Sequence, residues 1–156
     1  MANLTADEIL RLKQAFVTND KDGTLTEKVK QIINANSSAC HGVTYTVGTE
    51  AGDVIGVACQ FTDLDGDDMA SRVVVTQWLS TDTTGEVVEA AATTLAAGTD
   101  GAIITEHVTD GVWQAITEAD GDLDIDIGNA GGADTLYLNT LLPNGKVVQS
   151  AAIVFA

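Results

Sequence analysis

The sequence predicts a mostly β protein, an antiparallel β-sandwich preceded by two short N-terminal α-helices. Three observations carry that prediction. The period of the apolar residues changes from about 3.6 to about 2 near Val43. Beyond that point short apolar runs recur between Gly-containing turns, the rhythm of an all-β sandwich. The hydrophobic fraction is 45% while the aromatic fraction is only 4%, so the interior is built from Val, Ile, Leu and Ala, which suits stacked sheets. At 156 residues the chain fits one domain with a short appendage. The change of period divides it into an N-terminal helical segment, residues 1–38, and a sandwich domain, residues 43–156.

Each expected helix has a start signal. Thr5 with Glu8 forms a capping box, in which the hydroxyl accepts the N3 amide proton and the carboxylate reaches back to the N-cap amide. Leu4 and Ile9 stand where a hydrophobic staple packs, and Ile9, Leu12 and Phe16 share a face. Asn19 to Gly23 breaks this helix. A second capping box follows at Thr24 and Glu27, ahead of Leu25, Val29, Ile32 and Ile33 at i, i+4, i+7 and i+8. The polar run Asn34 to Ser38 ends the second helix.

In the sandwich, Ile55, Val57, Cys59 and Phe61 alternate with Gly56, Ala58 and Gln60, a strand with one face buried more fully than the other. Val73 to Leu79 is nearly continuous apolar and predicts a central strand covered on both sides. Leu123, Ile125 and Ile127 alternate strictly with Asp122, Asp124 and Asp126, so one face is core and the other water. Leu136 to Leu142 and Val147 to Phe155 flank Pro143-Asn144-Gly145 and predict a hairpin. Further turns are expected at Asp65-Gly66, Thr84-Gly85, Asp110-Gly111 and Asp120-Gly121. Ala90 to Gly98 reads as a loop with a helical turn.

The charge balance restricts partners. With 23 Asp and Glu against 7 Lys and Arg, for a formal net charge of -16, the field repels phosphate backbones and anionic lipid, so neither nucleic acid nor membrane is expected as a partner. Cys40 and Cys59 lack both the number of a disulfide framework and the paired spacing of a zinc site, and read as reduced, buried thiols. The N-terminus MANLTADEIL has no basic stretch followed by an apolar run, so synthesis in a reducing cytoplasm without export is expected.

Little in the chain asks for catalysis or a cofactor. The string LTADEILRLKQAFVTNDKDGTLT resembles an EF-hand calcium site, but with Gly23 at loop position 6, position 1 is Thr18 and position 12 is Val29, neither of which is a carboxylate ligand. Asp63, Asp65, Asp67 and Asp68 form a second acidic cluster and Asp120, Asp122, Asp124 and Asp126 a third. Turn chemistry and a wet strand face account for both. No G-x-S-x-G, P-loop or H-E-x-x-H occurs, and His41 and His107 lack ligand spacing. Cys40 and His41 are adjacent, and on an extended segment neighbours point to opposite sides. Catalytic, cofactor-binding and metal-binding residues are therefore expected to be none.

Trp78, on the apolar strand, and Tyr137, in the penultimate one, resemble the buried tryptophan and corner tyrosine of immunoglobulin-like sandwiches, without the cysteine spacing of true immunoglobulin domains. The segments VIGVACQFTDLDGDDMASRVVVTQWLSTDTTG and TEADGDLDIDI and the ending LYLNTLLPNGKVVQSAAIVFA resemble the small structural proteins encoded among the head genes of tailed bacteriophages, the capsid decoration or cement proteins. The resemblance covers residues 43 to 156.

It implies a non-enzymatic virion protein that is made in the host bacterial cytoplasm and then binds and stabilises the outer capsid surface. Its partner would be the major capsid protein of the same virus, and it would act as a homo-oligomer, with a trimer favoured. On this reading the amphipathic N-terminal segment supplies subunit or shell contacts. The alternatives are a tail-associated immunoglobulin-like structural protein and a calcium-dependent binding module.

Overall fold

The computed structural model describes Asp7, Leu10, Arg11 and residues 39–88 and 94–156. The chain divides into two units, Met1–Ala39 and Cys40–Ala156, and the second holds the fold described below. Ten strands follow in chain order: β1 (Gly42–Val47), β2 (Val54–Thr62), β3 (Val74–Ser80), β4 (Thr94–Ala97), β5 (Ala102–Val108), β6 (Val112–Ile116), β7 (Asp122–Gly128), β8 (Asp134–Leu141), β9 (Val147–Gln149) and β10 (Ile153–Phe155).

The expected fold class needs correction, because the described residues build an all-β structure of two sheets and make up no helix. Both helices read over residues 1–38, with their capping boxes, fall outside the described residues apart from Asp7, Leu10 and Arg11. The buried apolar surface among the described residues belongs to the sandwich unit.

The smaller sheet has the order β1-β2-β7-β4 and the larger β10-β8-β3-β6-β5, every pairing antiparallel. In-sheet neighbours follow the order of a variable-type immunoglobulin sandwich. The connectivity does not. After β3 the chain enters the smaller sheet at β4, returns to the larger as β5 and β6, and re-enters the smaller at β7, so the middle three strands run in reverse of the immunoglobulin sequence.

Strand periodicity dictates what lies between the sheets. Ile55, Val57, Cys59 and Phe61 of β2 and Leu123, Ile125 and Ile127 of β7 are buried from one side. Val75 and Leu79 of β3, Trp113 and Ala115 of β6, Leu136 and Leu138 of β8, and Ile153 and Phe155 of β10 meet them from the other. Each fully buried aliphatic contributes about 1.5–3 kcal/mol. The alternation read for β2 and β7 is what the structure shows.

The predicted hairpin also forms, with Gly145 at φ 83 in its turn and Leu141 facing Val147. Its return strand is broken in two. Asn139 faces Gln149 and Leu136 faces Ile153, a slip of one residue between β9 and β10. Ser150 sits at the slip, where its hydroxyl accepts from the Leu138 amide at 3.0 Å and donates to the Ala151 carbonyl at 2.7 Å. Residues 94–97 of the stretch read as a loop with a helical turn form β4, while 89–93 lie outside the described residues.

Candidate interaction surface

A buried polar network holds the sheets in one alignment. Gln77 is fully buried on the inner face of β3, where its Nε2 donates to Thr140 Oγ1 at 3.0 Å and its Oε1 accepts from Trp113 Nε1 at 3.0 Å. The Tyr45 hydroxyl, arriving from β1 in the opposite sheet, lies 2.7 Å from Thr140 Oγ1 and donates to the Val148 carbonyl at 3.0 Å. Burial pushes the Tyr45 phenol well above its ordinary range and the Cys59 thiol up to about 12, so both stay neutral. Among the described residues no buried side-chain nitrogen or oxygen lacks a partner. This network is structural. Orphaning one of its groups costs about 1–3 kcal/mol, so it penalises any sliding of one sheet over the other.

The two outer faces differ. Outward ladder positions of the larger sheet follow from register: Val74, Thr76, Trp78 and Ser80 on β3 stand beside Val112, Gln114 and Ile116 on β6 and beside Thr135, Tyr137, Asn139 and Leu141 on β8. Val147 and Gln149 of β9 and Val154 of β10 extend the same face. None of these positions carries a charge. Val74 is 50% exposed, Leu141 39%, Val147 47% and Val154 59%, so aliphatic surface stands open to water rather than covered.

One corner of that face is covered by residues 81–88. Asp82 organises this loop: Oδ1 accepts from the Thr84 amide at 2.7 Å and from the Thr84 hydroxyl, and Oδ2 accepts from the Val87 amide at 2.8 Å. These bonds hold its carboxyl down at about 2. The loop lies over the sheet because Trp78 Nε1 donates to the Gly85 carbonyl at 2.9 Å and Gln149 Nε2 to the Asp82 carbonyl at 3.1 Å. A side chain at position 85 would meet Asn139 Oδ1 at 2.6 Å, and φ there is +74, so glycine is what allows the close approach. Below it Asn139 is sealed by Ser80, Gln149 and the Trp78 and Tyr137 carbonyls.

The smaller sheet presents Asp122, Asp124 and Asp126 of β7 outward, beside Gln60, Ala58 and Gly56 of β2. Asp100 joins them from the β4–β5 connection, where its carbonyl accepts the Asp124 amide at 2.9 Å. Shallow grooves between these carboxylates are lined by Thr46, Gly56, Ala58 and Gly98. Asp122 is raised, first by desolvation and then by Asp120, Asp100, Asp124 and Asp68. Among the described residues no group of three or more His, Cys, Asp or Glu is arranged to hold a metal ion.

Sequence reasoning placed some of these residues and missed others. The β7 carboxylates share one face as expected. Asp63 is an Asx cap for its own turn, accepting from the Asp65 amide at 2.9 Å and the Asp67 amide at 3.1 Å. Thr18 to Val29, the EF-hand-like stretch, lies outside the described residues. Trp78 is not the core tryptophan; it is half-buried on the outer face, and Trp113 fills the interior. Tyr45, which the sequence did not single out, bridges the sheets, while Tyr137 stands on the outer face of β8. Parity along β6 could have placed Trp113 and Ala115 on one face.

Comparison with family models finds no match, and none is found among curated proteins. Among solved structures the chain is similar to the GAE domain of GGA2p from Saccharomyces cerevisiae, at 17% identity over 72% of this chain and 84% of that one, with a TM-score of 0.26. So low a score carries no argument, and the β-sandwich rests on the sheets described above.

Proposed function

We propose that the protein is a non-enzymatic structural protein that decorates and stabilises the outer surface of a tailed-phage capsid, with the major capsid protein as its partner. The observation that carries this reading is the set of uncharged outward positions on β3, β6, β8, β9 and β10 of the larger sheet, in a chain of net charge -16. Depletion of charge is what marks the core of a protein–protein contact, and open aliphatic surface on a sheet marks an interaction site. The resemblance of residues 43–156 to decoration proteins supplies the shell as partner. In this arrangement the larger sheet faces the shell and the β7 carboxylates face solvent, away from packaged DNA. Burial across neighbouring capsid subunits then adds free energy that resists internal pressure.

Co-sedimentation of the full chain with undecorated capsids of the same virus tests the reading. Saturable binding that persists at about 1 M salt is expected, because apolar burial is not screened whereas exposed charge pairs are. Failure to bind competent capsids defeats the proposal.

A further inference from the structure

We propose that β1 pairs edge to edge with β1 of a second copy of this chain, antiparallel about a two-fold axis at Tyr45, joining two four-stranded sheets into one of eight strands. Hydrogen-bond parity opens the edge. In β2 the Phe61 amide donates to Gly121 on the β7 side at 3.0 Å, so odd-numbered β2 residues bond β7 and even-numbered ones bond β1. Gly48, continuing β1, donates to Gly56 at 2.8 Å, which confirms that even positions of the first strand face β2. The amides and carbonyls of Val43, Tyr45 and Val47 therefore point out of the sheet, with no backbone partner among the described residues.

The other edges are guarded in ways that natural sheets use against pairing. β4 has only four residues among the described ones. Two register shifts interrupt β5, which also carries Glu106 and His107. The β9–β10 edge is broken at Ser150. β1 alone is six residues long, unbroken in register with β2, and free of charge, proline and bulge.

Its sequence is also self-complementary. Centred on Tyr45, the pairing sets Val43 against the partner's Val47, and each such pair exchanges two backbone hydrogen bonds. On the outward side Thr44 meets the partner's Thr46, a favourable cross-strand pair. Val43, Tyr45 and Val47 already pack against the core, so the apolar layer continues across the axis. The acidic strand β7 is two strands in from the edge, which leaves about 24 Å between the two β7 strands at ~4.8 Å per strand, well beyond the ~8 Å screening length in physiological salt. A two-fold pair of this kind takes the place of the threefold association that the resemblance implied.

Sedimentation velocity on the full chain from about 1 to about 300 μM tests this, with two double variants at the exposed threonines. The wild type is expected to form a dimer as concentration rises. T44K/T46K sets like charges opposite each other across the axis and should be monomeric throughout. T44K/T46E sets opposite charges there and should dimerise again. Circular dichroism establishes that both variants fold. A wild type that stays monomeric or forms trimers, or a T44K/T46K protein that dimerises like the wild type, overturns the proposal.

Discussion

The outer faces of the two sheets sit on the same core and obey the same two-residue period, yet they meet water in opposite ways. On the smaller sheet β7 puts a carboxylate at its first three outward steps, Asp122, Asp124 and Asp126. On the larger sheet the equivalent positions of β3, β6 and β8 are Val, Ile, Leu, Trp, Tyr, Thr, Ser, Asn and Gln, with no charge among them. Both faces are compatible with folding. What separates them is what they permit afterwards, since one repels anything anionic and the other can be buried against a neighbour without desolvating a charge.

The largest expected effect compares the two sides of one strand. Ile125→Ala, on the inner side of β7, should cost about 2–5 kcal/mol in denaturant unfolding. Asp124→Ala beside it should stay within about 0.5 kcal/mol of wild type. Equal losses would mean that the acidic side also holds the fold together.

Next in size is binding. Val74→Lys with Leu141→Lys should lower affinity for undecorated capsids at least tenfold while the melting temperature changes little, because both side chains are open to water already. Asp124→Lys with Asp126→Lys should leave that affinity unchanged. A reversal of the two results would assign the acidic face to the shell.

The faces also differ in how legible they were. Strict alternation at 123–127 has one physical meaning, and the structure repeats it. The run Val73 to Leu79 predicted a strand covered on both sides, whereas β3 is central with only its inner side closed. Apolar residues on an outward face look, in sequence, like burial, because a contact surface and a core are made of the same side chains. For the same reason Trp78 was read as a core residue ahead of Trp113. Turn positions were readable because Gly66, Gly85, Gly121 and Gly145 all adopt positive φ. The reversed order of the middle strands was not, since antiparallel strands of similar length carry no label for the sheet they join.

Two carboxylates give smaller effects of opposite sign. Asp82 is held at about 2 against an ordinary value of 3.8, so its contribution is present above pH 3.8 and is lost as pH falls toward 2. The Trp78 indole N–H, bonded to Gly85 in that loop, should exchange faster with solvent over this window and at all pH values in Asp82→Ala. Asp122 is raised from 3.8, so its contribution is present below that value and is lost as pH rises through its folded pKa. Asp122→Asn should remove that decline, the smallest of the four effects, seen as a melting temperature slightly above wild type at neutral pH.

The reversed threading of the middle strands also sets a timetable. β2 ends at Thr62, but the neighbour that completes its pairing, β7, begins only at Asp122. During synthesis at roughly 5–20 residues per second, one edge of β2 waits several seconds for its partner to emerge. Pairings this distant in sequence carry a large loop-closure cost, and sandwiches dominated by them fold in milliseconds to seconds rather than microseconds. The smaller sheet thus cannot close before β7 has emerged, and a ribosome stalled before residue 122 would carry a β1–β2 hairpin with one edge of β2 still unpaired.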